Sequence, residues 1–315
     1  MEVGLSVGES AYIRSGISCG VRCDGRGIDD IRRLVISCNP MPHAMGSSRV
    51  QFGEHDILVG TQLQLESHST STLTHSSSLQ SPTSPSRSIS FSLDFARSSS
   101  SFSKTSLSLL HRRLSQLYAS LPSNSIQFQN LFLIPHRLWW RIHVHILILQ
   151  TSPSSSSLFD TITIAVRSAL QSTKVPVVSL QPTDADQLPN VILPNELVQD
   201  IDEDENEDEE NAENEEYWNV DAEGAPVHVT VCIMEKGVIV VDPDWSEEES
   251  ALAVLGVSVS MKGNRMRLCG VTQKTAVQSC GLNVNLIRTA ITRAQDIAQE
   301  LILIADQQVH RKEIQ

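Results

Sequence analysis

Acidic side chains with the chemistry of a catalytic or metal site cluster late in the 315-residue chain. Asp242, Asp244 and the run 247–249 of three glutamates follow directly after an apolar segment. Paired carboxylates in such a place could hold a metal ion or act as general acid and base. The alternative, which we favour, is that they cap the N-terminus of an element or lie in a solvated turn.

A second charged motif lies near the N-terminus, where Arg22 and Arg26 flank Asp24 across a glycine. A carboxylate between two guanidiniums can form a bidentate ion-pair cluster that fixes the chain where it enters a domain. Arginines in this setting can also be presented to phosphate. We expect Arg22, Asp24 and Arg26 to form a structural motif.

Two histidines, His143 and His145, are two residues apart in an apolar run and would share one face of a strand. They could bind a metal ion, but no third ligand with diagnostic spacing lies nearby. We therefore favour solvated or interface histidines. The common nucleotide-binding, nucleophile-elbow and zinc-protease signatures are absent from the sequence, so we predict no metal and no cofactor.

The charge of the chain is unevenly distributed. The formal net charge is −13, but residues 200–216 carry 12 of the 37 acidic residues and no basic one, so the rest is nearly neutral. This excludes a wholly basic nucleic-acid binder. Six scattered cysteines without a Cys-x-x-Cys pair indicate free thiols in a reducing compartment. We expect no secretory signal and no membrane span.

Hydrophobic periodicity predicts strands and helices in the first half of the chain. Strands are expected at 48–52 and 56–65 as a hairpin, at 89–95 and at 138–149, and helices at 105–119 and 157–173. Ser157 is predicted to cap the last helix, with Asp160 at its third position. Its buried stripe would comprise Leu158, Ile162, Ala165, Val166 and Ala169.

The second half repeats this alternation of sheet and helix. Strands at 227–233, 237–241, 251–261 and 265–271 are predicted to form one meandering sheet, followed by a helix over 282–306. We therefore predict an α+β fold with two similar lobes, each with a mixed sheet and packed helices.

Composition divides the chain into four parts. Residues 1–26 form an N-terminal extension with the arginine motif, and 27–181 form the first lobe. Within that lobe, 67–108 is Ser-rich and expected to be disordered or atypical. Residues 182–219 are expected to be a disordered acidic insertion, and 220–308 form the second lobe.

Several separated blocks, in this order, resemble the RNase PH-like subunits of the eukaryotic RNA exosome core. The blocks are 12–17 (YIRSGI), 22–26 (RCDGR), 39–44 (NPMPHA), 46–50 (GSSRV), 57–60 (ILVG), 157–160 (SLFD) and 240–243 (VVDP). The resemblance covers about residues 9–65 and 131–305.

The resemblance implies an RNase PH-like fold of the ribosomal protein S5 domain 2-like type. It implies a place in a six-membered ring of RNase PH-like subunits, with RNA in the central channel and RNA-binding cap subunits on one face. The implied role is rRNA processing and mRNA decay in the nucleus and nucleolus, and also in the cytoplasm. No membrane partner is implied.

Whether such a chain is active depends on an acidic pattern that active members of this family carry after the second-lobe strand. At those positions this chain has Glu248, Leu252 and Val254. Neither leucine nor valine can ligate a metal or move a proton. The glycine-rich loop that holds phosphate in the family is replaced here by serines at 98–101. We therefore predict no catalytic residues and a structural, RNA-guiding role.

By family position, the candidates for RNA contact are Arg97, Lys104, Arg112 and Arg113. Two alternatives stay open at this point: a phosphate-dependent 3′-to-5′ exoribonuclease, and an acidic, Ser-rich interaction adaptor on a degenerate fold. Because ring formation would cover much of each lobe's edge, we also expect the isolated chain to be poorly soluble or self-associating.

Overall fold

The computed structural model describes residues 4–67, 88–96, 104–122, 125–126, 128–134, 137–151, 157–181, 190–192, 217–274 and 283–313. In this part of the chain two larger β-sheets and five helices pack together, which confirms the predicted α+β class. No helix in these ranges is long and apolar enough to cross a membrane.

The first sheet contains six strands. They are β1 Leu34–Cys38, β2 Gly46–Phe52, β3 His55–Ser67, β4 Ile89–Phe95, β5 Phe132–Ile134 and β6 Leu138–Gln150. The order is β1-β2-β3-β6-β4, with β5 also paired to β6. The chain leaves β4 through helix α2 (Lys104–Ala119), and β6 then runs parallel to β4, so the sheet is mixed as predicted.

Strand β6 shows why one side of this sheet is core. Ile142, Val144, Ile146 and Ile148 alternate along it and are buried. The intervening positions 141, 143 and 145 are half-buried or exposed. The alternation predicted from the sequence is confirmed, because successive strand residues point to opposite faces.

The second sheet contains β11 Val227–Ile233, β12 Ile239–Val241, β13 Ala253–Lys262 and β14 Arg265–Lys274, in the order β12-β11-β13-β14. The predicted meander is wrong at one step. After β12 the chain forms a short helix, α4 (Trp245–Ser250), and β13 then joins the other side of β11. All pairings in this sheet are antiparallel, so the expectation of a mixed sheet holds only for the first lobe.

Helix α3 (Leu158–Gln171) packs on β2 and β3 and also contacts β11, so it lies between the two sheets. Residues 158–170 are all buried, and the predicted single stripe is therefore wrong. The predicted cap is wrong as well, since Ser157 makes no side-chain capping bond. The carboxylate of Asp160 instead accepts hydrogen bonds from the backbone N–H of Thr230 (2.9 Å) and its hydroxyl (3.0 Å).

The last helix, α5 (Val284–Glu313), packs on β11, β13 and α3 and extends beyond the predicted end. Ala290, Ala294, Ile297 and Leu301 are buried and follow one another at helical spacing along it. Arg167 of α3 is fully buried and pairs with Asp306 of α5 at 2.9 Å. Two backbone carbonyls accept from the same guanidinium, so charge and packing together join the two helices.

Two short strand pairs complete the described chain. β7 (Lys174–Pro176) pairs with β10 (Tyr217–Asn219), and β8 (Ser179–Gln181) with β9 (Asn190–Ile192). The expectation of disorder across 182–219 is therefore wrong at β9 and β10, while the acidic run at 200–216 lies outside the described residues. Most of the Ser-rich segment lies outside them too.

Candidate functional site

The arginine motif and the acids after β12 meet in one ion-pair cluster. The buried guanidinium of Arg22 donates from Nε to Oε1 of Glu247 (2.9 Å) and from Nη2 to Oε2 (2.8 Å). Its remaining N–H groups reach the carbonyl oxygens of Val241 (3.1 Å) and Asp242 (3.0 Å). The bidentate arrangement expected of this motif is present, but with an acid from the second lobe.

Asp242 is the second acid of the cluster. Its carboxylate accepts from Arg26 Nη1 at 2.9 Å and from two nitrogens of Arg32. Asp24, between the two motif arginines, accepts from Arg26 Nε at 2.6 Å. Burial alone would lower the pKa of Arg32, but the hydrogen bonds and charge of Asp242 raise it overall.

These contacts decide between the two interpretations of the acidic run. Asp242 and Glu247 are engaged by guanidiniums, and Asp244 caps α4 in a capping box with Glu247. Among the described residues, no three His, Cys, Asp or Glu side chains form a group that could hold a metal ion. Asp242, Asp244 and Glu247 therefore serve as caps and ion-pair partners.

The three positions at which active family members carry the acidic pattern, here Glu248, Leu252 and Val254, extend from α4 to the start of β13. Glu248 and Leu252 are half-buried, and Val254 is 5% exposed. Val254 belongs to an apolar cluster with Ile13 and Ile17 of helix α1 (Val7–Ser18). An N-terminal helix thus covers this end of the sheet, and apolar side chains line it.

A cleft of about 170 Å³ opens between α2 and the second sheet. Its wall includes Arg113 of α2, Phe159 of α3 and three polar side chains of the sheet: His228, Ser258 and Thr272. The cleft therefore combines a cation, an aromatic face and hydroxyl groups, which can together bind a phosphate or a base.

Arg113 is the cation of this cleft. Its guanidinium carbon lies 4.5 Å from the centroid of the Phe159 ring, and Nη2 donates a long hydrogen bond to Thr272 Oγ1 at 3.4 Å. Burial lowers the pKa of Arg113, and the charge of Asp160 opposes that shift. Among the described residues, no carboxylate forms an ion pair with Arg113, so its charge is available to an anion.

His228 forms the floor of the cleft and is 2% exposed. Its Nδ1 lies 2.7 Å from Ser258 Oγ, and its Nε2 lies 3.9 Å from Oδ1 of Asp160. The second distance is too long for a hydrogen bond, so these residues do not form a charge-relay triad. A β-carbon on Gly256 would come 2.4 Å from His228 Nε2, so this floor requires glycine.

The sequence-predicted RNA contacts are placed only in part. Arg112 is exposed on α2, next to Arg113 in the cleft. Lys104 begins the same helix, and its side chain, like all of Arg97, lies outside the described residues. Phe159, His228 and Ser258 were not predicted from the sequence. The only available signal was a histidine and polar residues alternating with buried valines in β11 and β13.

Known proteins share parts of this sequence and its fold. Residues 30–176 match the RNase PH family, described as 3′ exoribonuclease family, domain 1. A Dictyostelium discoideum protein provisionally named exosome complex exonuclease RRP42 is 24% identical over 96% of this chain and 97% of its own length. An exosome complex component Rrp41 from Nitrosopumilus maritimus (strain SCM1) is 49% identical, but over only 41 residues.

Solved structures extend the likeness over both lobes. An archaeal exosome core subunit matches with a TM-score of 0.60 at 18% identity, covering 95% of this chain and 96% of that one. A chain of the Archaeoglobus fulgidus exosome with RNA bound to the active site gives 0.61 at 18% identity, covering 93% and 96%. Rice Rrp46 gives 0.56 at 13% identity, covering 92% and 100%.

These matches confirm the RNase PH-like fold expected from the sequence motifs. The motifs also resemble those of ribosomal RNA-processing protein forty-two, and the RRP42 relative agrees with that resemblance. The RNase PH match ends at residue 176. Beyond that residue, the likeness of the second lobe rests on the RRP42 relative, which aligns over nearly the whole chain, and on the solved structures that share the fold.

Proposed function

We propose that this chain is a non-catalytic, structural and RNA-guiding subunit of an RNA exosome ring that supports 3′-to-5′ RNA processing. The likeness to an RRP42 protein spans nearly the whole of both chains, and exosome core subunits share the fold of both lobes. Other RNase PH-like subunits are the expected ring partners.

One observation carries the non-catalytic part of the proposal. Val254 belongs to a buried apolar cluster that includes Ile13 and Ile17, at a position where the family resemblance places an acid in active members. The nearby acids Asp242 and Glu247 are bound by arginines. Carboxylate oxygens that already accept hydrogen bonds from guanidiniums are poorly placed to ligate a metal ion. This region therefore supports a structural role.

The RNA-guiding part rests on the cleft at Arg113. The guanidinium of Arg113 is stacked on Phe159 and has no carboxylate partner among the described residues, so it can bind a phosphate. Neighbouring hydroxyl groups of the cleft can add hydrogen bonds to the same phosphate. Arg112 adds a second exposed cation on the same helix. A few local cations suffice for this role, since phosphate neutralisation depends on local rather than net charge.

We further propose RNA-binding cap subunits as partners and the nucleus, nucleolus and cytoplasm as locations, with rRNA maturation and mRNA turnover as processes. A tagged chain expressed at its natural level would test both points. Co-purification of cap subunits and fluorescence in these compartments is the expected result. Their absence would restrict the proposal to the ring itself.

The deciding experiment for catalysis is a phosphorolysis assay. The full chain is incubated with a labelled oligoribonucleotide and inorganic phosphate, beside a catalytically active RNase PH-like protein as positive control. We expect no nucleoside diphosphate from this chain. Release of nucleoside diphosphates that needs phosphate would instead make it a 3′-to-5′ exoribonuclease.

The ring assignment has a separate test. We expect affinity purification of the chain to recover other RNase PH-like subunits in near-stoichiometric amounts, identified by mass spectrometry. Recovery of unrelated partners without any ring subunit would favour the acidic, Ser-rich adaptor instead.

A further inference from the structure

The outer face of the first sheet carries two histidines that the proposed ring role does not use. His143 is half-buried and His145 is exposed, and both project from β6 away from the core. The centroids of their rings are 4.3 Å apart, with the ring planes inclined at 68°.

A serine on the neighbouring strand positions each ring. Ser90 Oγ lies 2.6 Å from Nδ1 of His143, and Ser92 Oγ lies 2.8 Å from Nδ1 of His145. These are the directly paired residues of β4 and β6, so the same contact occurs twice in register. When Nδ1 carries the proton and donates to serine, Nε2 keeps its lone pair and can ligate a metal.

The charges beside the pair are partly balanced. The cation of Arg141, which would repel a metal ion, pairs with Glu66 at 2.5 Å on the same face. Asp94, on the same face of β4 as the two serines, is exposed and adds negative charge.

We propose that His143 and His145 bind one divalent transition-metal ion, of the class that prefers imidazole nitrogen, through their Nε2 atoms. Water would fill the remaining coordination positions. Two imidazoles that ligate one ion at about 2.0–2.1 Å place their centroids roughly 5 Å apart. The observed 4.3 Å is close enough for small rotations of the rings to complete the site. The metals of this class include Zn²⁺, Ni²⁺ and Cu²⁺.

The test is calorimetric titration of the full chain with Zn²⁺ and with Ni²⁺ after treatment with a chelator. The chain is used in whatever assembly it purifies in, and each variant is compared in the same assembly so that other subunits contribute equally. We expect one site per chain in the wild type. His143→Gln and His145→Gln should each weaken its affinity at least tenfold, and His43→Gln, which removes an exposed histidine elsewhere, should not.

The serines give a second, independent readout. Loss of a group that orients a ligating histidine typically costs 10–100-fold in metal affinity. Ser90→Ala and Ser92→Ala should therefore weaken binding although neither residue touches the ion, and circular dichroism would establish that both variants fold. The proposal is overturned if the wild type binds no more metal than the double variant His143→Gln/His145→Gln. It is also overturned if the serine variants bind like the wild type, because the ordered pair would then have no role. Neither outcome bears on ring membership.

Discussion

Arg22 and Glu247 are 225 positions apart in the chain, yet their side chains form two parallel hydrogen bonds of 2.9 and 2.8 Å in a buried environment. The pair joins the segment after α1 to the first turn of α4. Because α1 itself packs on α4 and on the end of the second sheet, the N-terminal residues are fastened to the second lobe. The cluster is therefore a structural joint.

Removing one member of this pair should destabilise the protein. Arg22→Met leaves the carboxylate of Glu247 buried without its partner, which typically costs about 3–5 kcal/mol in free energy of unfolding. Urea denaturation measures this. Arg49→Met, at an exposed pair with Asp56, is the matched control and should cost less than about 1 kcal/mol. Similar losses in both variants would contradict a special role for the buried pair.

His55 should make stability depend on pH. It is 1% exposed, and burial lowers its pKa to about 4, with a further contribution from the charge of Arg32. The unfolded chain binds a proton near pH 6.5 and the folded chain only near pH 4, so the free energy of unfolding should fall as pH decreases across this interval. The loss would reach about 3 kcal/mol.

The test compares urea denaturation of the wild type, His55→Asn and His43→Gln between pH 7.5 and 4. His55→Asn should remove most of the slope between pH 6.5 and 4, while His43→Gln, at an exposed histidine, should keep it. A slope that is unchanged in His55→Asn would show that other groups cause the pH dependence.

The helices α3 and α5 should depend on Arg167 in a similar way. Its guanidinium is fully buried and binds Asp306 and the carbonyl oxygens of Glu223 and Ala225. Arg167→Met leaves all three acceptors without this donor and should lower stability by about 3–5 kcal/mol. Lys262→Met, at a more exposed pair with Asp221, is the control for thermal denaturation. An equal shift in melting temperature would count against the buried contact.

The sequence predicted the features of the fold that depend on residues close together in the chain. It did not predict those that depend on residues far apart in the chain. Strand β6 and helix α5 were predicted because their apolar periodicity is a local signal. The cap at Ser157 was predicted wrongly because its hydroxyl oxygen accepts a hydrogen bond from Arg32, 125 positions away, and Asp160 bonds to Thr230, 70 positions away in β11. Local spacing contains no information about such a competitor.

The candidate functional site was likewise predicted only where neighbouring residues carry the signal. The arginine motif was recognised as an ion-pair cluster, but its main partner, Glu247, comes from the other lobe and could not be named. The cleft was reached only through Arg113, because Phe159 and His228 resemble ordinary core residues in sequence. Three segments that approach one another only in the folded chain supply these side chains.

Arg113 should contribute to RNA affinity in the assembled ring. Its guanidinium stacks on Phe159 and has no carboxylate partner among the described residues, so it can neutralise one phosphate. Arg113→Gln should weaken binding of a single-stranded oligoribonucleotide to a similar degree for different sequences. The slope of log affinity against log salt concentration should fall by about 0.7, as expected for one lost phosphate contact on a single strand.

Fluorescence anisotropy at several salt concentrations measures both quantities. Arg141→Gln is the matched control, because Arg141 lies on the outer face of the first sheet and is paired with Glu66. Arg113→Lys separates charge from stacking: it should keep the salt slope but lose part of the affinity, because lysine lacks the planar group that stacks on Phe159. If Arg113→Gln and Arg141→Gln bind RNA equally well, the cleft does not contact RNA, and the guiding role would have to lie elsewhere on the subunit.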